Sequence, residues 1–494
     1  MNIQVVLSIM GSLSVILGAT MISALGFAVY DHGPDTGVLA MSIAICVVLG
    51  CALRFAFRNH RHDAMRHKEG FAVVALGWIF LAGLGALPFY LYETPQFPTY
   101  IDCYFEAMSG FTTTGASVLT DIEALPRGIL FWRSLTHWLG GMGIIVLTLA
   151  ILPMLGVGGM QLFKAEVPGP TSERFLPRIG QTAKVLWGVY LLLSAVETVL
   201  LMFGGMNLFD ALCHTFGTMA TGGFSTKNTS IAHFNSVYIE VVIIVFMFLA
   251  GTNFALHFRA LTGNLKCFWR DMEFRTYTCI VIVIIGVLTI ANFAPVTALI
   301  EDNDLNYDSI GTSLRTASFQ ALSIMTTTGF VTADFDQWPH LCRFLLLALM
   351  FLGACAGSTG GGMKVVRFML IFKKAKREIR RLIYPSGVFS IKIGGKAVDE
   401  DVVSGVTGFF ILYMCIFALG TAFMAVLGLN LTSAIASIAA TLGNIGPGLG
   451  SVGAVRNYAH IPLVGKAFLS LMMLLGRLEI YTVIILLVPE FWRK

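Results

Sequence analysis

Four short runs of similar make-up recur along this chain: SGFTTTGAS at 109–117, FGTMATGGFS at 216–225, SIMTTTGFVT at 323–332 and ATLGNIGPG at 440–448. With Gly115, Gly222, Gly329 and Gly446 taken as equivalent, they stand 107, 107 and 117 residues apart. Such a repeat constrains the fold more than any single motif, because each copy has to be the same supersecondary unit. In the fourth run LGN at 442–444 offers Gly443 as an alternative; the match of IG to the TG of the other three favours Gly446.

The runs lie in a membrane protein. Of 494 residues, 56% are hydrophobic and only 12% charged, about half the charged share of a soluble domain. Apolar stretches near the 20 residues needed to cross a bilayer lie at 4–29, 37–57, 70–92, 129–155, 183–204, 237–260, 276–299, 341–372, 402–428 and 461–488. Shorter ones at 101–111, 208–219, 311–325 and 431–441 lead into the four runs and read as re-entrant. Irregular backbone at membrane depth has to be buried in protein or line a watery cavity. The expected fold is an all-α polytopic membrane protein with ten transmembrane helices, in which four pore-loop repeats stand in pseudo-fourfold arrangement. Each repeat is span, short helix, glycine-containing run and span, giving units 69–163, 164–265, 266–385 and 386–494, with 1–68 as a two-helix N-terminal addition.

Charge sets the orientation. Of the 33 Lys and Arg, 25 fall in Arg54–Lys68, Lys164–Lys184, Arg259–Arg275, Lys364–Lys396 and the pair Arg493 and Lys494, which the positive-inside rule makes cytoplasmic. Both termini are then cytoplasmic. MNIQVVLSIM lacks the basic region of a cleaved signal and reads as the start of a retained span. The basic excess needs no nucleic acid to explain it, and the nine cysteines, without CxxC spacing, read as packing residues.

A short helix that ends midway through the bilayer turns its partly negative C-terminus toward the membrane centre. Glycine after Thr-Thr lets several carbonyls face one axis, and carbonyl rings that replace a hydration shell are how potassium filters work. The alternative is that Gly and Thr simply permit close helix packing, an account that four runs in register argue against.

TTTGAS, MATGGFSTKN, TTTGFVTADFD and TLGNIGPG resemble the TrkH branch of the TrkH/KtrB/HKT superfamily of potassium transporters, over nearly the whole chain. The resemblance implies potassium uptake across a bacterial inner membrane, with the ion as substrate. It puts the filter at Thr113, Thr114 and Gly115; Thr221 and Gly222; Thr327, Thr328 and Gly329; and Asn444, Ile445 and Gly446. Relatives that admit sodium often carry Ser at the first filter glycine, so Gly115 implies a preference for potassium. The cluster GACAGSTGGGMK, with Gly353, Gly357, Gly360, Gly361 and Gly362, breaks the eighth apolar stretch and matches the family's intramembrane gating loop; a packing kink is the plainer reading. Arg477, near the middle of the last apolar stretch, matches an Arg that stands in the family's pore as an electrostatic barrier; Glu479, two residues on, points to another side of a helix. The resemblance also implies a homodimer on a cytoplasmic ring of TrkA-type nucleotide-binding subunits. The basic segment Lys364–Lys396 is the place for that contact, for anionic lipid, or for a plain positive-inside anchor.

Glu197 is a further intramembrane carboxylate, read as packing or proton coupling, and Glu301, Asp302, Asp304 and Asp308 form an acidic group before the third short helix. GLGSVG at 448–453 fits GxGxxG without following a strand, and GxxxxGK[ST] does not occur, so no nucleotide is expected to bind this chain itself. Two other readings remain. A secondary cation carrier would carry two matching helix interruptions, against four runs here; a membrane enzyme would need an HExxH or paired-carboxylate cluster.

Overall fold

A computed structural model describes residues 2–58, 67–150, 179–293, 307 and 309–493. The repeat boundary at 163/164, the basic residues from Lys164 to Arg178 and the acidic group Glu301, Asp302, Asp304 and Asp308 lie outside the described residues.

The chain opens with an antiparallel pair, α1 (Ile3–Tyr30) and α2 (Thr36–Ala56). They cross where Gly11 and Gly50 face each other; a methyl group on Gly50 would stand 2.7 Å from the Gly11 carbonyl. Small residues let membrane helices approach this closely. The Ser14 hydroxyl donates to the Cys46 carbonyl across the same seam at 2.6 Å.

Four successive groups follow. The first holds α3 (His67–Gly85), the short α4 (Tyr100–Phe111) and α5 (Arg127–Ala150); the second α6 (Ile179–Phe203), the short α7 (Leu208–Met219), and α8 (Val237–Ala250) with α9 (Phe254–Leu261). The third holds α10 (Met272–Ala291), the short α11 (Ile310–Met325), and α12 (His340–Phe351) with α13 (Val365–Ile383); the fourth α14 (Glu400–Val426), the short α15 (Leu431–Leu442), and α16 (Leu463–Arg477) with the single turn α17 (Tyr481–Ile484). A two-stranded hairpin, β1 (Lys392–Ile393) and β2 (Lys396–Ala397), links α13 to α14.

The short helices begin where cap chemistry starts them. Thr99 and Asp102 form a capping box, and Asn207 and Asn430 accept from the N–H groups of Asp210 and Ser433, each at 2.8 Å. Ser313 stands at the corresponding place in the third group, but α11 starts earlier, so Ser313 is inside the helix and donates instead to the Thr289 carbonyl at 2.8 Å.

Among the described residues six helices are long and apolar enough to cross a membrane, or up to eight if each of two bent pairs counts as one span. The bends alter two expectations. The stretch 237–260 is not continuous: α8 and α9 meet at 101°, where Asn253 caps α9 through the Ala255 N–H at 2.8 Å. The stretch 461–488 turns by 116° after α16, so Arg477 ends a helix and does not sit mid-helix as the apolar pattern suggests. Glu479 and Ile480 follow with φ of 58° and 51°, positive values that residues other than glycine seldom adopt.

Candidate functional site

The four short helices end in the same turn. Its first residue after the cap is left-handed, with φ of 51° at Thr113, 55° at Thr221, 60° at Thr327 and 56° at Asn444. Two residues later comes a left-handed glycine: Gly115, Gly223, Gly329 and Gly446, with φ of 79°, 77°, 79° and 95°. Hydrogen bonds repeat in the same register. Thr114, Gly222, Thr328 and Ile445 each donate their N–H to the carbonyl five residues back, at 2.8, 2.7, 2.8 and 2.8 Å.

This register corrects one sequence assignment. The second turn's counterpart of Gly115, Gly329 and Gly446 is Gly223, and Gly222 occupies the place of Thr114. The spacings become 108, 106 and 117 residues, from Gly115 to Gly223 to Gly329 to Gly446. Two adjacent glycines leave the sequence ambiguous, and only the backbone distinguishes the left-handed one. In the fourth run the same criterion selects Gly446, since Gly443 is the cap of α15 with φ of −79°.

The turns close on one another. A methyl group at Gly115 would collide with the Gly222 carbonyl, one at Gly223 with that of Thr328, and one at Gly329 with that of Ile445. At Gly446 it would stand 2.6 Å from the Thr114 carbonyl. First meets second, second third, third fourth and fourth first, with backbone oxygens at every contact. Only glycine tolerates both the φ and the approach.

Buried polar groups that the sequence did not single out hold the turns from behind. Glu106, His214 and Gln320 occupy equivalent places in α4, α7 and α11, all with no exposed surface. The Glu106 carboxylate accepts from the Ser117 hydroxyl (2.8 Å), the Val118 N–H (3.0 Å) and Arg133 Nε (2.6 Å). His214 Nε2 pairs with the Ser225 hydroxyl at 2.9 Å, and the Gln320 amide pairs with Thr332. In the fourth turn the Tyr458 hydroxyl donates to the Gly446 carbonyl at 2.7 Å. Three different side chains share one task, so residue identity shows no pattern; once 108 and 106 are known as the repeat intervals, they line up. Asp102 and Lys466 pair at 2.6 Å, joining α4 to α16.

Under the turns lies the glycine-rich loop 352–364. Its Gly361 N–H donates to the Thr327 hydroxyl at 2.7 Å, and the Thr359 hydroxyl to the Met219 carbonyl at 2.9 Å. The break between α8 and α9 receives it: Gly251 and Ala250 carbonyls accept from the N–H groups of Cys355 (3.0 Å) and Thr359 (3.4 Å). Glu273, at the start of α10 and buried, accepts from Ala356 N–H of the loop at 2.9 Å and from Val366 N–H in the first turn of α13 at 3.1 Å. Lys364 reaches back to the Gly360 carbonyl. Gly353 and Gly357 lie on the limb bound to the break and Gly360, Gly361 and Gly362 on the limb beneath the turns; a methyl group on Gly361 would stand 2.6 Å from the Gly443 carbonyl.

Arg477, buried, donates to the Thr359 carbonyl at 2.8 Å and the Gly140 carbonyl at 3.3 Å, so it joins the loop to α5. Glu479 turns away from Arg477 and pairs with Arg367 of α13 at 2.6 Å, and that guanidinium lies 4.1 Å over the Phe409 ring. Glu197 is buried against Thr218 of α7, the short helix of the second turn. The basic segment Lys364–Lys396 is helical over α13, yet several of its cations are used internally: Lys364 on the Gly360 carbonyl, Arg367 with Glu479, Lys373 on the Lys392 carbonyl, Lys374 on the Thr407 hydroxyl at 2.9 Å, and Arg377 with Glu400. Lys376, Arg380 and Arg381 share the helix with exposed Phe372, Ile379 and Leu382.

A family model described as TrkH, cation transport protein, matches residues 37–494. The Trk system potassium uptake protein TrkH of Salmonella typhimurium is 41% identical over 497 residues, covering all of both chains. The Trk system potassium uptake protein TrkG of Escherichia coli is 36% identical over 433 residues, 87% of this chain and 86% of that one. The crystal structure of the potassium transporter TrkH from Vibrio parahaemolyticus superimposes with a TM-score of 0.89 at 37% identity, again over the whole of both chains. The polytopic helical fold is thus TrkH-like.

Proposed function

Because the chain belongs to the TrkH family of cation transport proteins, we propose that it takes up potassium across a bacterial inner membrane through a path lined by the four turns. It is a transporter and not an enzyme, as its relatives are. Potassium is its substrate, stripped of water at the carbonyls of 113–115, 221–223, 327–329 and 444–446. The observation that carries this reading is the closed circuit in which each left-handed glycine abuts a carbonyl of the next turn. The negative ends of four helix dipoles lie beside those oxygens and favour a cation.

In this reading the chain has ten spans, counting α5 and the α12–α13 pair beside the eight apolar candidates, with four pseudo-fourfold repeats and both termini cytoplasmic. The loop 352–364 is the gate, and Arg477 adds a positive charge beside it that opposes a passing cation. A homodimer, membrane lipid and a cytoplasmic TrkA-type nucleotide-binding subunit complete the assembly, with α13 as the docking helix. A secondary cation carrier would account for the two bent pairs, but leaves four matching turns unexplained.

The test is potassium against sodium flux into liposomes holding only the purified protein, repeated with a TrkA-type subunit and ATP. Potassium-selective flux is expected, and Gly115→Ser or Gly223→Ser should erode the selectivity, since a side chain at either site displaces a carbonyl of the next turn. Undiminished selectivity in both variants refutes the filter.

A further inference from the structure

Turns one and three brace themselves. Thr112 and Thr114 pair their hydroxyls at 2.8 Å, and Thr326 and Thr328 do the same at 2.8 Å. The fourth turn is held through the Asn444 amide, which donates to the Thr114 hydroxyl at 3.0 Å and the Met473 carbonyl at 2.9 Å, and through Tyr458. The second turn has Ala220 and Gly222 at the places of the threonine pair and cannot form it.

His137 of α5 fills that gap. A methyl group on Gly222 would stand 2.5 Å from its imidazole, so the ring occupies the volume that a Thr or Ile side chain takes in the other three turns. The Phe224 N–H is 3.2 Å from Nε2 and the Gly110 carbonyl 2.9 Å from Nδ1. An N–H only donates and a carbonyl only accepts, so the ring is neutral with its proton on Nδ1. It therefore ties α4 of the first group to the outgoing strand of the second turn. Phe224 lies between His137, ring centres 4.0 Å apart, and Arg133, whose guanidinium is 3.5 Å from the Phe224 centroid and donates to the Ser225 carbonyl at 3.0 Å. The Gly222 carbonyl, one residue before the left-handed Gly223, is the one that meets Gly115.

We propose that His137 is a specificity-determining positioning residue, a detached side chain for the second turn that aims the Gly222 carbonyl. The inference rests on the filter reading above. It also explains why the second run alone carries two adjacent glycines: Gly223 answers to the backbone conformation, Gly222 to the imidazole behind it.

The experiment is the potassium-to-sodium flux ratio in liposomes. His137→Phe keeps the ring volume and loses both hydrogen bonds; two such bonds correspond to about a ten-fold fall in the ratio, with the protein's elution profile unchanged. Gly222→Thr should lose selectivity through the clash, and adding His137→Ala should restore it to within about three-fold of the parent, because the deleted ring makes room. The second pair keeps the test decisive if His137→Phe is unstable. Parent-like selectivity in His137→Phe, with selectivity lost in Gly115→Ser, overturns the positioning role and leaves the filter standing. A combined variant no better than Gly222→Thr also overturns it. Unchanged ratios in all of these variants, Gly115→Ser included, refute the filter itself.

Discussion

Replacing Glu273 by Leu removes one carboxylate oxygen that holds two backbone N–H groups, that of Ala356 in the glycine-rich loop and that of Val366 in the first turn of α13. Glu273 is 1% exposed, so in this arrangement water does not readily replace it. Each buried N–H left without an acceptor costs about 1–3 kcal/mol, and two raise the free energy of this loop position by about 2–6 kcal/mol. If this position blocks the path, the unblocked population rises by at least about 30-fold from the lower figure. Leu matches the stem of Glu closely enough that packing against α10 survives. Glu273→Gln retains a carbonyl oxygen and should change the population by no more than about five-fold, since charge assistance alone is lost. Rubidium uptake into liposomes without any added subunit reads the effect directly. Uptake within two-fold of the parent in a folded Glu273→Leu protein would refute the reasoning, because it would mean that the loop does not obstruct the path or that Glu273 does not hold it.

Three further outcomes follow from the same packing. Lys466→Met strands a buried Asp102 carboxylate and should destabilise the protein by about 3–5 kcal/mol; adding Asp102→Asn should recover most of it, as read by denaturant unfolding in detergent. Glu479→Ala removes the ion pair with Arg367, and because Glu479 is itself 30% exposed the loss should be about 1 kcal/mol; unaltered unfolding would show that the pair contributes nothing. Tyr458→Phe removes only the hydroxyl on the Gly446 carbonyl and should cost about 1 kcal/mol with a measurable fall in potassium-to-sodium selectivity in liposomes.

Much of the site is legible in the order of the residues. Gly115, Gly329 and Gly446 stand out as filter candidates through their spacing, and all three adopt the same left-handed turn. Gly222 and Gly223 are both glycine, and one-dimensional spacing cannot tell a residue that needs positive φ from one that needs an empty volume. The helix breaks at 251–253 and after Arg477 are hidden for another reason. Neither break carries a proline, and at the first the groups that satisfy the freed backbone, the N–H groups of Cys355 and Thr359, come from elsewhere in the chain. Arg133 and His137 are visible as polar residues one helical turn apart in an apolar stretch, which marks them as paired, though with what is not readable.

Sequence by itself determined the class of protein, the short helices and the recurrence of one turn chemistry, because bilayer thickness, capping residues and glycine's freedom at positive φ act over a few residues at a time. Tertiary structure decided which atoms meet. That Gly223 abuts Thr328, that His137 stands behind Gly222, and that Glu273 and Arg477 grip one loop from different helices depends on contacts between residues tens to hundreds apart. Such contacts are specified by close packing of the whole membrane core, where a single methyl group is enough to exclude a neighbour.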